Sequence, residues 1–265
     1  MPAHQSMADI KPQKYLDERP ADELAKHHER ARTTGSDLVY DFVRMVVTPP
    51  SIGIYRAIAL GTENVPAQGA VILAPNHFSN FDHFFSAMYI RRDVRFMAKS
   101  QLYKNLVLGW IISHGGSFPV RRGQGDLETF KSAYAILDQG GCLLIYAEGG
   151  RSRTGKLGKP RRGVGLIALE SGVPVIPVAI HGSGGVRGWR RGRFPKVTIQ
   201  YGEPLSFDVV KRPGREAQQD AAEQIFARIK EMYDTIEEKG RRAVWRSLRE
   251  ARRTAAERPA PPSAD

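Results

Sequence analysis

From Gly69 onward the chain alternates short, β-branched apolar runs with stretches of helical period, and no other feature narrows its fold as much. Residues 70–74, 94–98, 142–147, 175–180 and 197–201 each read as a short buried strand. Between them, 82–90, 127–139 and 163–171 repeat apolar residues at helical spacing. This order predicts an α/β fold with a mostly parallel sheet flanked by helices, and a site beyond the carboxyl ends of its strands.

The flanks have a different texture. Residues 1–36 are polar with few apolar anchors and read as a mobile arm or a loosely docked helix. Leu38, Phe42 and Val46 recur at helical spacing until Pro49 and Pro50 stop the pattern, and a second apolar segment covers 52–60. Residues 37–61 therefore read as an amphipathic, membrane-associating helical element, or as a hairpin packed on the core. The α/β core covers 62–212. A long, basic helical region with a break at Gly240 covers 213–255, and residues 256–265 read as a disordered tail.

With 265 residues, 41% of them hydrophobic and 26% charged, the chain can bury a sizeable core. Its one cysteine, Cys142, lies in an apolar run without neighbouring ligands, which excludes a disulfide scaffold and a cysteine-rich zinc site. No apolar stretch approaches the roughly 18 residues of a spanning helix, and the first 36 residues lack the apolar centre of a signal peptide. The expected location is peripheral, on the cytoplasmic face of a membrane. Forty Lys and Arg against 28 Asp and Glu give a net charge of +12. Nucleic acid, an anionic membrane and phosphorylated substrates all suit that sign.

The strand at 70–74 runs into Pro75, Asn76 and His77, with Asp82 five residues after the histidine at the start of a helical pattern. On one continuous helix that separation is about 140° of azimuth, so the two side chains meet only if His77 lies in the turn. Ser79 or Asn80 is available as the helix cap. Asp82 can then hold the Nδ1 proton of His77 and leave Nε2 as a general base; a capping Asp beside a hydrogen-bonded turn histidine is the structural alternative. Three more segments end or begin strands. They are Phe118-Pro119-Val120-Arg121-Arg122 after a strand-like apolar piece, Ala147-Glu148-Gly149-Gly150-Arg151-Ser152, and Val173-Pro174-Val175-Ile176-Pro177.

In this order the four segments resemble the motifs of the glycerolipid acyltransferases, the 1-acylglycerol-3-phosphate (lysophosphatidate) acyltransferase family, over about residues 63–203. Ala147 stands where the family usually has Pro, and Gly150 where it has Thr, which bears on acceptor choice. The resemblance implies transfer of a fatty acyl group from acyl-CoA or acyl carrier protein to the hydroxyl of a lyso-phospholipid, 1-acylglycerol-3-phosphate giving phosphatidate. His77 and Asp82 are the implied catalytic pair, with no acyl-enzyme, no metal and no cofactor beyond the acyl donor. Lys99, Arg121 and Arg151 are the implied phosphate ligands, with Glu148 and Gly149 as acceptor-site residues and Glu148 ordering the loop and the arginines. Arg122 and Arg153 read as solvated charges.

The chemistry fits these residue types. A lipid alcohol is a weak nucleophile, so a base with a pKa near 7 helps by roughly 10²–10⁴-fold, and a thiolate leaves without strong acid assistance. The implied partners are a lyso-phospholipid, the acyl donor and an anionic membrane surface, with no nucleic acid. Another lyso-lipid or polar alcohol is the alternative acceptor, and a non-catalytic basic binding module the alternative function. Two basic segments suit a membrane face or solvent: 187–194, where Trp189 and Phe194 lie among arginines, and Arg242, Arg246, Arg249 and Arg253 at helical spacing beside Val244 and Leu248.

Overall fold

The computed structural model describes residues 17–34, 37–121, 126–152 and 154–256. Seven strands form one sheet: β1 (Ile58–Leu60), β2 (Val71–Pro75), β3 (Val94–Lys99), β4 (Ser117–Val120), β5 (Cys142–Leu144), β6 (Val175–His181) and β7 (Thr198–Tyr201). Their spatial order is β1-β7-β6-β2-β5-β3-β4, and every pair is parallel except β6 with β7.

Strand β2 is buried on both faces, which explains its unbroken apolar run. Val71 and Leu73 pack with Phe85, Met88, Ile176 and Val178 on one side, under helices α2 (Leu38–Gly53) and α3 (Asp82–Ala87). Ile72 and Ala74 pack with Ile136, Ile167 and Ile225 on the other. That second face is covered by α5 (Leu127–Asp138), α6 (Arg162–Ser171) and α7 (Arg215–Ala256). Burying one such side chain is worth about 1.5–3 kcal/mol, so the central strands anchor the fold.

Four expectations change. The described part of the polar arm is a 3₁₀ turn (Ala21–Leu24) and helix α1 (Ala25–Thr33) docked on the core. Leu24, His28 and Ala31 form one buried stripe at i, i+4 and i+7, and the polar member is satisfied by His28 Nδ1 meeting Ser132 Oγ at 2.9 Å. Helix α2 continues through Pro49 and Pro50 to Gly53. The two prolines deprive the carbonyls of Met45 and Val46 of donors, and both residues are exposed rather than buried in the core. The second apolar segment is not a second helix: Ile52 and Gly53 finish α2, and its end is edge strand β1, paired with Thr198–Gln200 of β7. The strand-like piece before Gly116 is helix α4 (Leu106–His114), started by Asn105, whose Oδ1 accepts from Leu108 N at 2.9 Å; a continuous apolar run carries no period to distinguish the two.

Helix α7 breaks at Gly240, where φ is 74°. Beyond the break, Val244 is buried and Leu248 packs with Leu60, Ala179 and Ile236, so the apolar flank of the basic helix faces the domain. Residues 1–16 of the arm, Arg122, Arg153 and the tail from 257 lie outside the described residues. No helix among the described residues is long and apolar enough to cross a membrane.

Candidate active site

Strand β2 hands its direction to Asn76, which is fully buried. Its amide accepts from Ile180 N at 2.7 Å and donates to Ile180 O at 3.1 Å, prolonging the β2–β6 pairing by a side chain. The next residue, His77, therefore leaves a rigid strand end and enters the turn, as the spacing requires. Nδ1 of His77 meets Oδ2 of Asp82 at 2.8 Å, and that oxygen also accepts the backbone N–H groups of Phe78 and Ser79 at 2.7 Å each. Asp82 is inaccessible to solvent, and its Oδ1 has no hydrogen-bond partner among the described residues. Neither Ser79 nor Asn80 caps α3, because the Asp82 carboxylate itself folds back onto the turn's N–H groups.

The loop after β5 grips the same turn. Glu148 Oε1 accepts from His77 N at 3.0 Å, its Oε2 accepts from Gly158 N at 2.8 Å, and Ser152 N donates to His77 O at 2.8 Å. Burial pushes the Glu148 carboxyl above the usual range against these two stabilising donors. Both partners of Glu148 are backbone groups, so it ties this loop to the His77 turn and bonds no arginine among the described residues. The Tyr146 ring stacks on His77 with centroids 3.7 Å apart and planes 14° from parallel. Gly149 has φ 63°, and a Cβ there would meet the Arg161 side chain at 2.9 Å, so the tight turn around Glu148 requires glycine.

The expected cations fall into two groups. Arg151 reaches the His77 turn and bonds Asn80 Oδ1. Lys99 ends β3, paired in register with Val120, and Arg121 follows β4. At about 4.8 Å per strand, Lys99 and Arg121 stand about 10 and 14 Å along the sheet from the His77 strand. Arg121 donates through its guanidinium to the Arg19 carbonyl and through its N–H to Asp126 Oδ2, so it also fastens the docked amino-terminal segment. All these residues nevertheless leave the carboxyl ends of four neighbouring strands, β2, β5, β3 and β4.

Cys142 is at the other end of this sheet. It pairs with Val71, six residues before His77, which is about 20 Å of extended chain. Burial pushes its thiol up to about 12.

A cavity of about 90 Å³ lies between α2, α3, α4 and β3, lined by Val47, Phe84, Met88, Phe96, Ile111 and His83, the residue that follows Asp82. Sequence reasoning gave no role to Asn76, Tyr146 or His83. Each neighbours a motif residue at a strand end or helix start, which is the signal that could have singled it out.

A family model described as Acyltransferase matches residues 58–181, the span that holds the whole constellation. A chloroplastic 1-acyl-sn-glycerol-3-phosphate acyltransferase of Brassica napus is 25% identical over 160 residues, 60% of this chain and 43% of that protein. One from Bacillus subtilis is 27% identical over 66% of this chain and 87% of its own length. The chain thus spans about two fifths of the plant relatives and most of the bacterial one. The crystal structure of the 1-acyl-sn-glycerophosphate acyltransferase PlsC from Thermotoga maritima superposes with a TM-score of 0.52 at 22% identity, covering 78% of this chain and 88% of that one, and shares its fold. Residues 58–181 thus match the Acyltransferase family, and the relatives to which the chain is similar over a wider span are 1-acyl-sn-glycerol-3-phosphate acyltransferases.

Proposed function

We propose that the chain transfers a fatty acyl group from an acyl thioester, acyl-CoA or acyl carrier protein, to the hydroxyl of 1-acyl-sn-glycerol-3-phosphate, giving phosphatidate. The observation that carries this reading is the buried His77–Asp82 pair at the end of β2, whose next residue, His83, lines an apolar cavity. With its proton on Nδ1 held by Asp82, His77 takes the acceptor's hydroxyl proton at Nε2 while the oxygen attacks the thioester carbonyl. Collapse of the tetrahedral intermediate breaks the C–S bond, and the imidazolium returns its proton to the departing thiolate. The Asp82 carboxylate stabilises that imidazolium in between, and the Tyr146 stack holds the ring plane. No acyl-enzyme and no cofactor enter this sequence.

Arg151 is the phosphate ligand nearest the dyad; Lys99 and Arg121 approach from two and three strands away, Arg121 on release of the Arg19 carbonyl. Gly150 in place of the family's usual Thr favours, as a second reading, a different lyso-lipid acceptor. The acyl chain occupies the apolar cavity. The exposed apolar side chains of α2 (Leu38, Phe42, Met45) and of the neighbouring α4 (Leu106, Val107, Trp110) rest on the membrane that supplies the acceptor. The test is acyl transfer from a long-chain acyl-CoA to lysophosphatidate in vesicles. Phosphatidate formed by the wild type and lost in His77→Ala supports the reading, and absence of transfer to any lyso-lipid from either donor overturns it.

A further inference from the structure

His83 follows Asp82 on α3, and its ring lines the apolar cavity. It lies against Phe84 with centroids 4.0 Å apart and edge-on to Phe96 at 5.8 Å. Neither ring nitrogen has a hydrogen-bond partner among the described residues. The ring is half-buried, so its N–H is open to a ligand that enters the cavity. Of the other polar side chains that line the cavity, Tyr40 Oη accepts from Val94 N at 3.1 Å and Arg44 donates to the Met88 and Ile90 carbonyls, while Thr48 Oγ1, on α2, is buried without a partner among the described residues; His83 is the lining group that adjoins Asp82 on α3.

Burial pushes His83 down to about 4, and the His77 ring adds to the shift while Asp82 opposes it. The ring is therefore neutral at neutral pH, with one N–H donor. So weak a base does not compete with His77 for the hydroxyl proton. What remains to it is donation.

We propose that His83 donates its ring N–H to the carbonyl oxygen of the acyl thioester, holding the reacting carbon at the mouth of the cavity and stabilising the oxyanion formed when the acceptor attacks. The proposal rests on the acyl-transfer reading above. An acyl chain lying among Phe84, Phe96 and Met88 passes His83, the polar lining residue that adjoins Asp82 on α3. The electron pair that the attack pushes onto the carbonyl oxygen is met by this N–H and returns to carbon when the C–S bond breaks.

The test compares wild type, His83→Phe and His83→Gln as full chains, with long-chain acyl-CoA and lysophosphatidate in vesicles and thermal melts alongside. Loss of one oxyanion donor lowers kcat by about 10²–10³-fold, so His83→Phe should fall by that much with the donor KM within about threefold of wild type. His83→Gln, which restores a donor, should recover at least about tenfold of that loss, and the acid limb of the pH–rate profile, set by His77, should stay in place. A His83→Phe enzyme with kcat within about threefold of wild type overturns the proposal, as does a glutamine variant no faster than the phenylalanine one. If the phenylalanine variant does not fold, His83→Leu takes its place against the glutamine variant. A wild-type chain that transfers no acyl group overturns the functional reading and this proposal together, whereas an active wild type with unimpaired variants overturns this proposal alone.

Discussion

Oδ2 of Asp82 lies 2.8 Å from Nδ1 of His77, and the same oxygen holds two backbone N–H groups of the turn between them. One carboxylate therefore shapes the turn and orients the ring. The two roles separate by substitution. In Asp82→Asn the amide oxygen still accepts from the turn, so the fold should survive, but the charge that stabilises the imidazolium is gone. A fall in kcat of about 10²–10⁴-fold, with little change in melting temperature, is expected. Asp82→Ala instead leaves buried donors unpaired at about 1–3 kcal/mol each, and should melt markedly earlier. Turnover of the asparagine variant near the wild-type rate would show that the ring does not work through this carboxylate.

Glu148 locks His77 from the other side through its peptide N–H. A Cβ at Gly158 would come within 2.6 Å of Glu148 Oε2, so Gly158→Ala must displace that carboxylate while leaving the His77 and Asp82 side chains unaltered in composition. Misplacing a reacting group by about 1 Å costs up to about 10²-fold, and the loss should appear in kcat with both KM values nearly unchanged. Steady-state kinetics with donor and acceptor varied separately decide it; a rise in acceptor KM at constant kcat would assign Glu148 to binding instead.

The strand ends were legible because parallel strands buried on both faces appear as continuous apolar runs, and each run stops at the turn residues that carry a motif. Which motif residues become neighbours was not legible. Along the chain the strands run β2, β3, β4, β5, but in the sheet β5 lies directly beside β2 and ahead of β3 and β4. Glu148, remote in sequence, thus becomes the partner of His77, while Lys99 and Arg121 are moved outward. Such crossovers are long-range decisions of the whole sheet. Helix α1 escaped for another reason: its buried stripe includes His28, which counts as polar until Ser132 is found opposite it.

Cys142 lies in the buried start of β5, paired with Val71, far from the turn that carries His77. Cys142→Ala should leave kcat within about threefold of wild type and lower stability by about 1 kcal/mol for the lost packing. The native thiol, pushed up to about 12, should resist alkylation until the chain unfolds. A loss of turnover as deep as that of His77→Ala would replace direct transfer with a covalent intermediate.

On α4, Leu106 and Val107 are 79% and 70% exposed, and Trp110 is 53% exposed; Phe42 and Met45 are exposed on α2, which contacts α4. Deleting α2 is a poor test of membrane contact, since Tyr40 is buried and bonds Val94 N. Single charges on the exposed side chains avoid that problem. Leu106→Glu and Phe42→Glu should keep the wild-type melting temperature, reduce sedimentation with anionic vesicles, and lower activity on vesicle-borne acceptor more than on acceptor in detergent. Unchanged sedimentation for both would remove this face as the contact.

Burial pushes four histidines down: His27 and His83 to about 4, and His28 and His181 also below their usual 6.5. In each case the unfolded chain takes up a proton at a higher pH than the folded one. Between about pH 6.5 and 4 the unfolded state therefore binds more protons, and stability falls as pH falls. Glu148 opposes this, because its raised pKa favours the folded state at low pH and that contribution is lost as pH rises. Asp17, Asp37 and Glu128, whose carboxyls are held below the usual range, lose stabilisation in the same direction as the histidines, but only toward the lower end of this window, so the histidines govern the drop from neutral pH to pH 5. The melting temperature should drop from neutral pH to pH 5, and His27→Asn, whose amide can still meet Ser113 Oγ, should narrow that drop. Melts of both proteins across this range provide the check: an equal drop in the variant would remove His27 from the acid sensitivity, and no drop in the wild type would show that these rings keep their ordinary affinity for protons.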